Sequence, residues 1–167
     1  MLYVSDLFII GFTYFFITAF ENTLHKASHH KISGPLYRWH RLHHIDYPST
    51  RTESDVYINT SGFHNYFLYC ILSTLFVVYL VSSNRTFTIF SVQVIIYTVS
   101  VNHLHKQFHL TNSKYKKYKW FQKYKRNHLL HHTYLQTNFN FYDLTFDKLQ
   151  NSYFSDKERL RMVASNS

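Results

Sequence analysis

A chain of 167 residues with a single cysteine, Cys70, has room for one domain and excludes an intramolecular disulfide framework. Hydrophobic residues make up 46% and aromatics 20%, yet these are segregated into long apolar runs separated by basic, histidine-rich stretches, which excludes an ordinary soluble domain. The net charge of +9 leaves two partners in play, nucleic acid and the cytoplasmic face of a membrane.

The first apolar run covers 2–20, "LYVSDLFIIGFTYFFITAF", and ends at Glu21. It lacks the basic leader and small-residue cleavage site of a signal peptide, and its length predicts a spanning helix rather than an interfacial one. Two histidine clusters follow directly, "HKASHH" at 25–30 and "WHRLHH" at 39–44.

Residues 62–84 contain no Asp, Glu, Lys or Arg, enough for a second span over 63–81 with His64 at its head in an interfacial role. A polar turn, "SSNR" at 82–85, leads to a third uncharged run over 86–102. Together they predict a helical hairpin that crosses the membrane and returns. The third span ends in "HLHKQFH" at 103–109.

Of 18 Lys and Arg residues, only Arg85 lies in the hairpin turn; the other 17 lie at 26–51 and from 106 onward. Three spans put both of those regions on one face, which the positive-inside rule makes cytoplasmic. Topology and anionic lipid therefore account for the charge, without nucleic acid. The expected fold is an all-α integral membrane protein of about three spanning helices with a cytoplasmic His-rich helical cap.

The run "KYKKYKWFQKYKR", 114–126, alternates lysine with aromatics. RNA-binding segments share that pattern. Beside a membrane exit it predicts an interfacial helix, with Lys among headgroups and Tyr and Trp at the boundary. It is also a surface for an acidic electron carrier. The last cluster, "HLLHH", occupies 128–132, and a polar tail over 154–167 is expected to fray.

On a helix, residues at i, i+3 and i+4 share a face. His25 with His29 and His105 with His109 have the i,i+4 spacing. His40, His43 and His44 repeat the i, i+3, i+4 pattern, as do His128, His131 and His132. Four helical faces thus bring ten imidazoles to one space at one rim of the membrane. Ten buried imidazolium groups would repel one another and lose hydration, whereas neutral imidazoles ligate metal. Ten nitrogens suit two ions with about five ligands each. An all-nitrogen set accepts iron, copper, zinc or nickel, and oxygen chemistry beside lipid favours iron. A Cys-based zinc finger and an H-E-x-x-H protease are both excluded by the residues present.

These motifs resemble the fatty acid hydroxylase superfamily, histidine-rich integral-membrane di-metal oxygenases that include sterol desaturases. Glu21 with "HKASHH" matches the first box, and "GPLYRWHRLHHIDYPST", with Leu36, Tyr37 and Arg38, matches the second. His105 to His109 matches the third. "HLLHHTYLQTNFNFYDLTFDKLQNS" matches the fourth, with Asn138 to Phe141 and then Phe146, Asp147, Lys148 and Leu149. The likeness covers about 20–153, within a membrane domain of 1–153 followed by the tail. Asn140 stands where the family has Gly, and Gln150, Asn151 and Ser152 stand for F-G-T. The chain is also shorter than usual for the family, with fewer membrane helices, which points to a thinner substrate groove or to self-association as a homo-oligomer.

The resemblance implies two ferrous ions (zinc can substitute in a structure), O2 as co-substrate, and NAD(P)H-derived electrons through a cytochrome-b-type carrier. The substrate would be a lipid acyl chain or sterol, hydroxylated in preference to desaturated. The ten histidines named above are the expected ligands. His30, Glu21, Asn138 and Asp147 are expected as additional ligands or as groups that orient them, and His103 as an orienting or structural neighbour. The membrane would be the endoplasmic reticulum in a eukaryote or the inner membrane in a bacterium. A catalytically silent metal-binding membrane protein is the alternative reading of the same cage.

Overall fold

A computed structural model describes residues 3–59, 63–141 and 143–165, with side chains throughout except at 63–67, 161–163 and 165. The interfacial role expected of His64 therefore lies outside the described side chains. The chain forms α1 (Val4–Ser28), a 3-10 turn (Lys31–Ser33), α2 (Pro35–Asp46), α3 (Phe63–Val81), α4 (Asn84–Phe108), α5 (Lys119–Thr133), α6 (Thr145–Leu149) and α7 (Asp156–Ser165). Among the described residues there is no strand, only an isolated bridge between Ser54 and Leu110.

α1 and α4, 25 residues each, are the frame. At 1.5 Å per residue each measures about 37 Å, longer than a bilayer core of about 30 Å. Their starts are tied together: Asp6 on α1 forms an ion pair with Arg85 on α4 at 2.6 Å. Ser83 caps α4 by accepting the Thr86 N–H, so the hairpin turn after α3 is closed by its own side chain. Two parallel helices of equal length pinned at their starts also end together. That is how His25 and His105, 80 positions apart in the chain, reach one rim.

The helices run beyond the apolar segments expected from hydropathy. α1 continues past residue 20 to Ser28, and α4 past residue 102 to Phe108. The polar ends still carry helix formers and pack against the cap, so the hydrogen-bond ladder continues after the apolar stripe stops. Gly34, at φ 60°, turns the chain between the 3-10 turn and Pro35 at the first position of α2, a conformation that suits glycine.

One core cluster, Ile17, Phe90, Val94 and Tyr97, joins α1 to α4, with Ile71 and Leu75 of α3 against it. A second, Phe108, Phe121 and Phe141, fastens α5 and the segment before α6 to the end of α4. The outward faces are apolar as well: Phe8, Phe12, Phe76, Leu80, Ile96 and Val99 are all more than half exposed. Apolar surface on that scale needs a non-aqueous neighbour. α1 and α4 are both long and apolar enough to cross a membrane. α3 has 19 residues, with a shorter apolar run at Leu68–Val81 among its described side chains.

Two local expectations change. The interfacial helix expected over 114–126 begins only at Lys119, because Ser113 accepts the Tyr115 N–H and starts a turn that sends Tyr115 back to His103. The tail is helical over Asp156–Ser165. Ser155 and Glu158 form a reciprocal cap there: the Ser155 N–H donates to the Glu158 carboxylate, and the Glu158 N–H donates to the Ser155 hydroxyl.

Candidate metal centre

Ten histidines converge where the C-terminal ends of α1 and α4 meet α2 and α5. His25 projects from α1, with His29 as its C-cap; His105 projects from α4, with His109 as its C-cap. α2 supplies His40, His43 and His44, and α5 supplies His128, His131 and His132. Their ring nitrogens fall into two groups. One contains His43, His105, His109, His128 and His132; the other contains His25, His29, His40 and His131. Within each group one ligand atom per residue lies within 4.8 Å of all the others. His44 joins the second group through its Nε2, 2.9 Å from that of His40, and its ring lies 4.3 Å from that of His132 in the first.

The separations are those of a coordination sphere. Nε2 atoms meet at 2.9 Å for His40 and His29, 3.2 Å for His29 and His131, 3.0 Å for His105 and His43, and 2.9 Å for His128 and His109. Two nitrogens each about 2.1 Å from a shared ion stand about 3.0 Å apart at a right angle and about 3.4 Å apart at the tetrahedral angle.

Hydrogen bonding among the rings does not explain the packing. His109, His131 and His132 donate from Nδ1 to the carbonyls of Thr52, Thr137 and Tyr47, each at 2.7 Å. His25 donates likewise to the Phe139 carbonyl. A carbonyl only accepts, so these Nδ1 atoms carry the hydrogen and the neutral ring presents an Nε2 lone pair. The His109 lone pair faces both His105 and His128, at 3.3 and 2.9 Å, and can accept from only one. The Nε2 atoms of His25 and His132 are buried without a hydrogen-bond partner. Oriented, desolvated lone pairs pointing at one another fit a cation between them, so the buried clusters can hold metal ions.

Electrostatics agree with that donor set. Burial, and then the neighbouring rings, hold His40, His43, His128 and His131 well below the ordinary 6.5. Burial brings His29 down to about 3 and His109 to about 4. A histidine lowered in the folded state binds fewer protons than the unfolded chain below pH 6.5. Stability is thus complete above 6.5 and is lost as the pH falls towards the folded values. Each such imidazole contributes a slope of up to about 1.4 kcal/mol per pH unit. The metal-free cap is expected to melt between about pH 6.5 and 4, with metal release over the same window, followed by metal retention on a desalting column. Retention unchanged down to pH 4 would contradict neutral-imidazole ligation.

The other expected residues fall elsewhere. His30 is exposed. His103 is exposed too, beside the Tyr115 hydroxyl at 3.1 Å. Glu21 reaches no histidine: it accepts from the Tyr97 hydroxyl at 3.0 Å and from Asn140 at 2.8 Å. Asn138 bonds no ring either. At φ 52° its side chain donates to the Phe154 carbonyl and accepts the Phe154 N–H, closing the loop whose Thr137 and Phe139 carbonyls hold His131 and His25. Asp147 is fully buried and accepts the Phe139 and Asn140 N–H groups at 2.8 and 2.9 Å, so it acts on His25 through the backbone. Asn140, where a glycine was expected by resemblance, donates to the Thr18 carbonyl and Glu21 and accepts from Asn22, fastening this loop to α1. The carbonyls of Thr52, Tyr47, Thr137 and Phe139 are functional groups that sequence could not reveal, since every residue has one. Tyr47 adds a ring stacked on His109 at 3.9 Å.

Beside the first group lies a cavity of about 90 Å³, between α1, α3 and α4, walled by Phe16, Ile17, Ile71 and Val94 and reaching Glu21 and His105. The class so defined is an all-helical protein with two membrane-length apolar helices and a buried polyhistidine centre at their common end. Comparison with protein-family models, with curated proteins and with solved structures finds no match.

Proposed function

We propose that the chain is a membrane-bound, non-haem di-iron oxidoreductase that hydroxylates a lipid acyl chain or sterol with O2. The observation that carries this reading is the division of nine histidines into two neighbouring groups, with His44 touching both and one group adjoining an apolar cavity. When bound, a pair of ferrous ions supplies dioxygen activation and hydrogen abstraction from an unactivated C–H bond. The chain's own residues place that chemistry. Carbonyl-anchored rings keep the lone pairs directed inwards, and Phe16, Ile17 and Val94 shape a dry slot that ends at His105. Glu21 and Tyr97, joined by a hydrogen bond, are among the polar groups that line the slot.

In this reading α3 is a third span beside α1 and α4, and the histidine end faces the cytoplasm, where 17 of the 18 Lys and Arg residues lie. A cytochrome-b-type carrier delivers the electrons from NAD(P)H at that face.

The test is metal analysis of the purified chain together with lipid analysis of cells that express it. The reading predicts iron at about two per chain and a new hydroxylated lipid. Bound metal with an unaltered lipid profile would instead favour the catalytically silent cage.

A further inference from the structure

A second cleft, of about 320 Å³, opens between α5 and the C-terminal helix α7, away from the metal centre. Lys119, Lys123, Arg126 and Asn127 lie at i, i+4, i+7 and i+8 on α5, one face of the helix, and all four line it. Lys157 lines it from α7. Against these four cations stands one lining carboxylate, Asp156, giving a formal +4 − 1 = +3. Asp156 is held by Arg126 at 2.8 Å and approached by Arg159 at 3.9 Å, so it is already engaged. Like charges along one helix face repel, and a cleft that gathers them is stabilised by a counter-ion.

Two further features give that counter-ion a shape. Asn127 is only 6% exposed, and its Nδ2 has no hydrogen-bond partner. A buried donor without an acceptor calls for one from a ligand. The cleft is also lined by Ser155, Asp156 and Lys157, the cap and first turn of α7, where the helix dipole favours an anion beside the reciprocal Ser155–Glu158 cap. Lysine ammoniums, a guanidinium, a desolvated amide donor and a helix start together match a ligand made of acceptor oxygens bearing more than one charge.

We propose that the α5–α7 cleft binds a phosphate group. Two sources carry that chemistry, a phospholipid headgroup and a soluble phosphate. The exposed Tyr118 and Trp120 beside Lys119 are compatible with the first, and the open cleft with the second.

The test uses the full chain purified in a maltoside detergent, which contains no phosphate. Inorganic phosphate is expected to raise the thermal midpoint with the logarithm of its concentration, beyond sodium chloride at matched ionic strength. The Lys119→Gln/Lys123→Gln variant leaves the Arg126–Asp156 pair in place and should weaken this response about tenfold or more. Its histidine-bound metal content should equal that of the parent chain, which confirms folding and separates this result from the fate of the oxidoreductase reading. If inorganic phosphate is silent but phosphatidic acid in mixed micelles is retained by the parent chain and lost by the variant, the headgroup is the source and the proposal stands. A response no larger than that to chloride, with phosphatidic acid held equally by both chains, overturns it. Capture of RNA in place of either phosphate probe overturns it in favour of a nucleic-acid surface.

Discussion

On the proposed di-iron reading, His131→Ala is expected to abolish product formation and to remove about one of two metal ions while the helical bundle remains folded. His131 is fully buried, and its Nε2 stands 3.2 Å from that of His29 within the group that includes His25 and His40. Without its ring, that group keeps His25, His29, His40 and the adjoining His44, with a void where the lone pair pointed. The lost Nδ1 donor also leaves the Thr137 carbonyl short of a partner, at a cost of about 1–3 kcal/mol. That is small beside the loss of a metal ligand, because binding free energy for a buried metal is itself folding free energy. The matched controls are His30→Ala and His103→Ala. Both residues are exposed, so each should change stability by less than about 0.5 kcal/mol and leave metal content unchanged. Metal analysis and helical circular dichroism on the three variants decide the matter. Equal metal loss from all three would mean that the histidines act as a diffuse chelating surface rather than as two built sites.

Half of that contrast is legible in the sequence: His103, two positions before His105, points elsewhere on the helix, whereas His30, expected as a further ligand or orienting group, is exposed. What spacing could not supply is the partition. α2 divides its own motif, sending His43 to one group and His40 to the other, and α5 does the same with His128 and His132 against His131. A stripe defined by i, i+3 and i+4 is about 100° wide, broad enough to face two ions, and only the packing of α2 and α5 against α1 and α4 decides which ring meets which. Glu21 and Asp147 bond no ring directly for a related reason: an acid beside a histidine motif suggests a ring acceptor, yet here backbone carbonyls take that role and Asp147 stands one residue behind them. The C-terminal helix illustrates an opposite failure. Its signal, "SDKE" at 155–158, is a capping box in plain view, outweighed by the polar composition that follows it.

Asp147→Ala is expected to be the most damaging substitution outside the histidines. Its carboxylate accepts from the Phe139 and Asn140 N–H groups, from the Ser152 hydroxyl at 2.8 Å and from Asn22 at 3.2 Å. Burial pushes its pKa up, and these donors hold the rise back. Alanine would leave two buried backbone N–H groups without an acceptor, a destabilisation of about 3–5 kcal/mol by thermal or denaturant unfolding. The consequence for the metal runs through one residue: the Phe139 N–H is fixed by Asp147 while the Phe139 carbonyl fixes His25. Loosening that residue frees the His25 ring to rotate, so metal affinity should fall about 10–100-fold even where the protein stays folded. Asp147→Asn separates the two effects. It keeps the shape and one acceptor oxygen but turns an amide donor towards a backbone donor, so about 1–3 kcal/mol is lost while the loop stays near its place. The ordering expected for metal affinity is parent, then Asn, then Ala. If alanine destabilises the fold but the folded fraction binds metal as tightly as the parent, the carboxylate is a structural clamp alone and His25 is oriented without it.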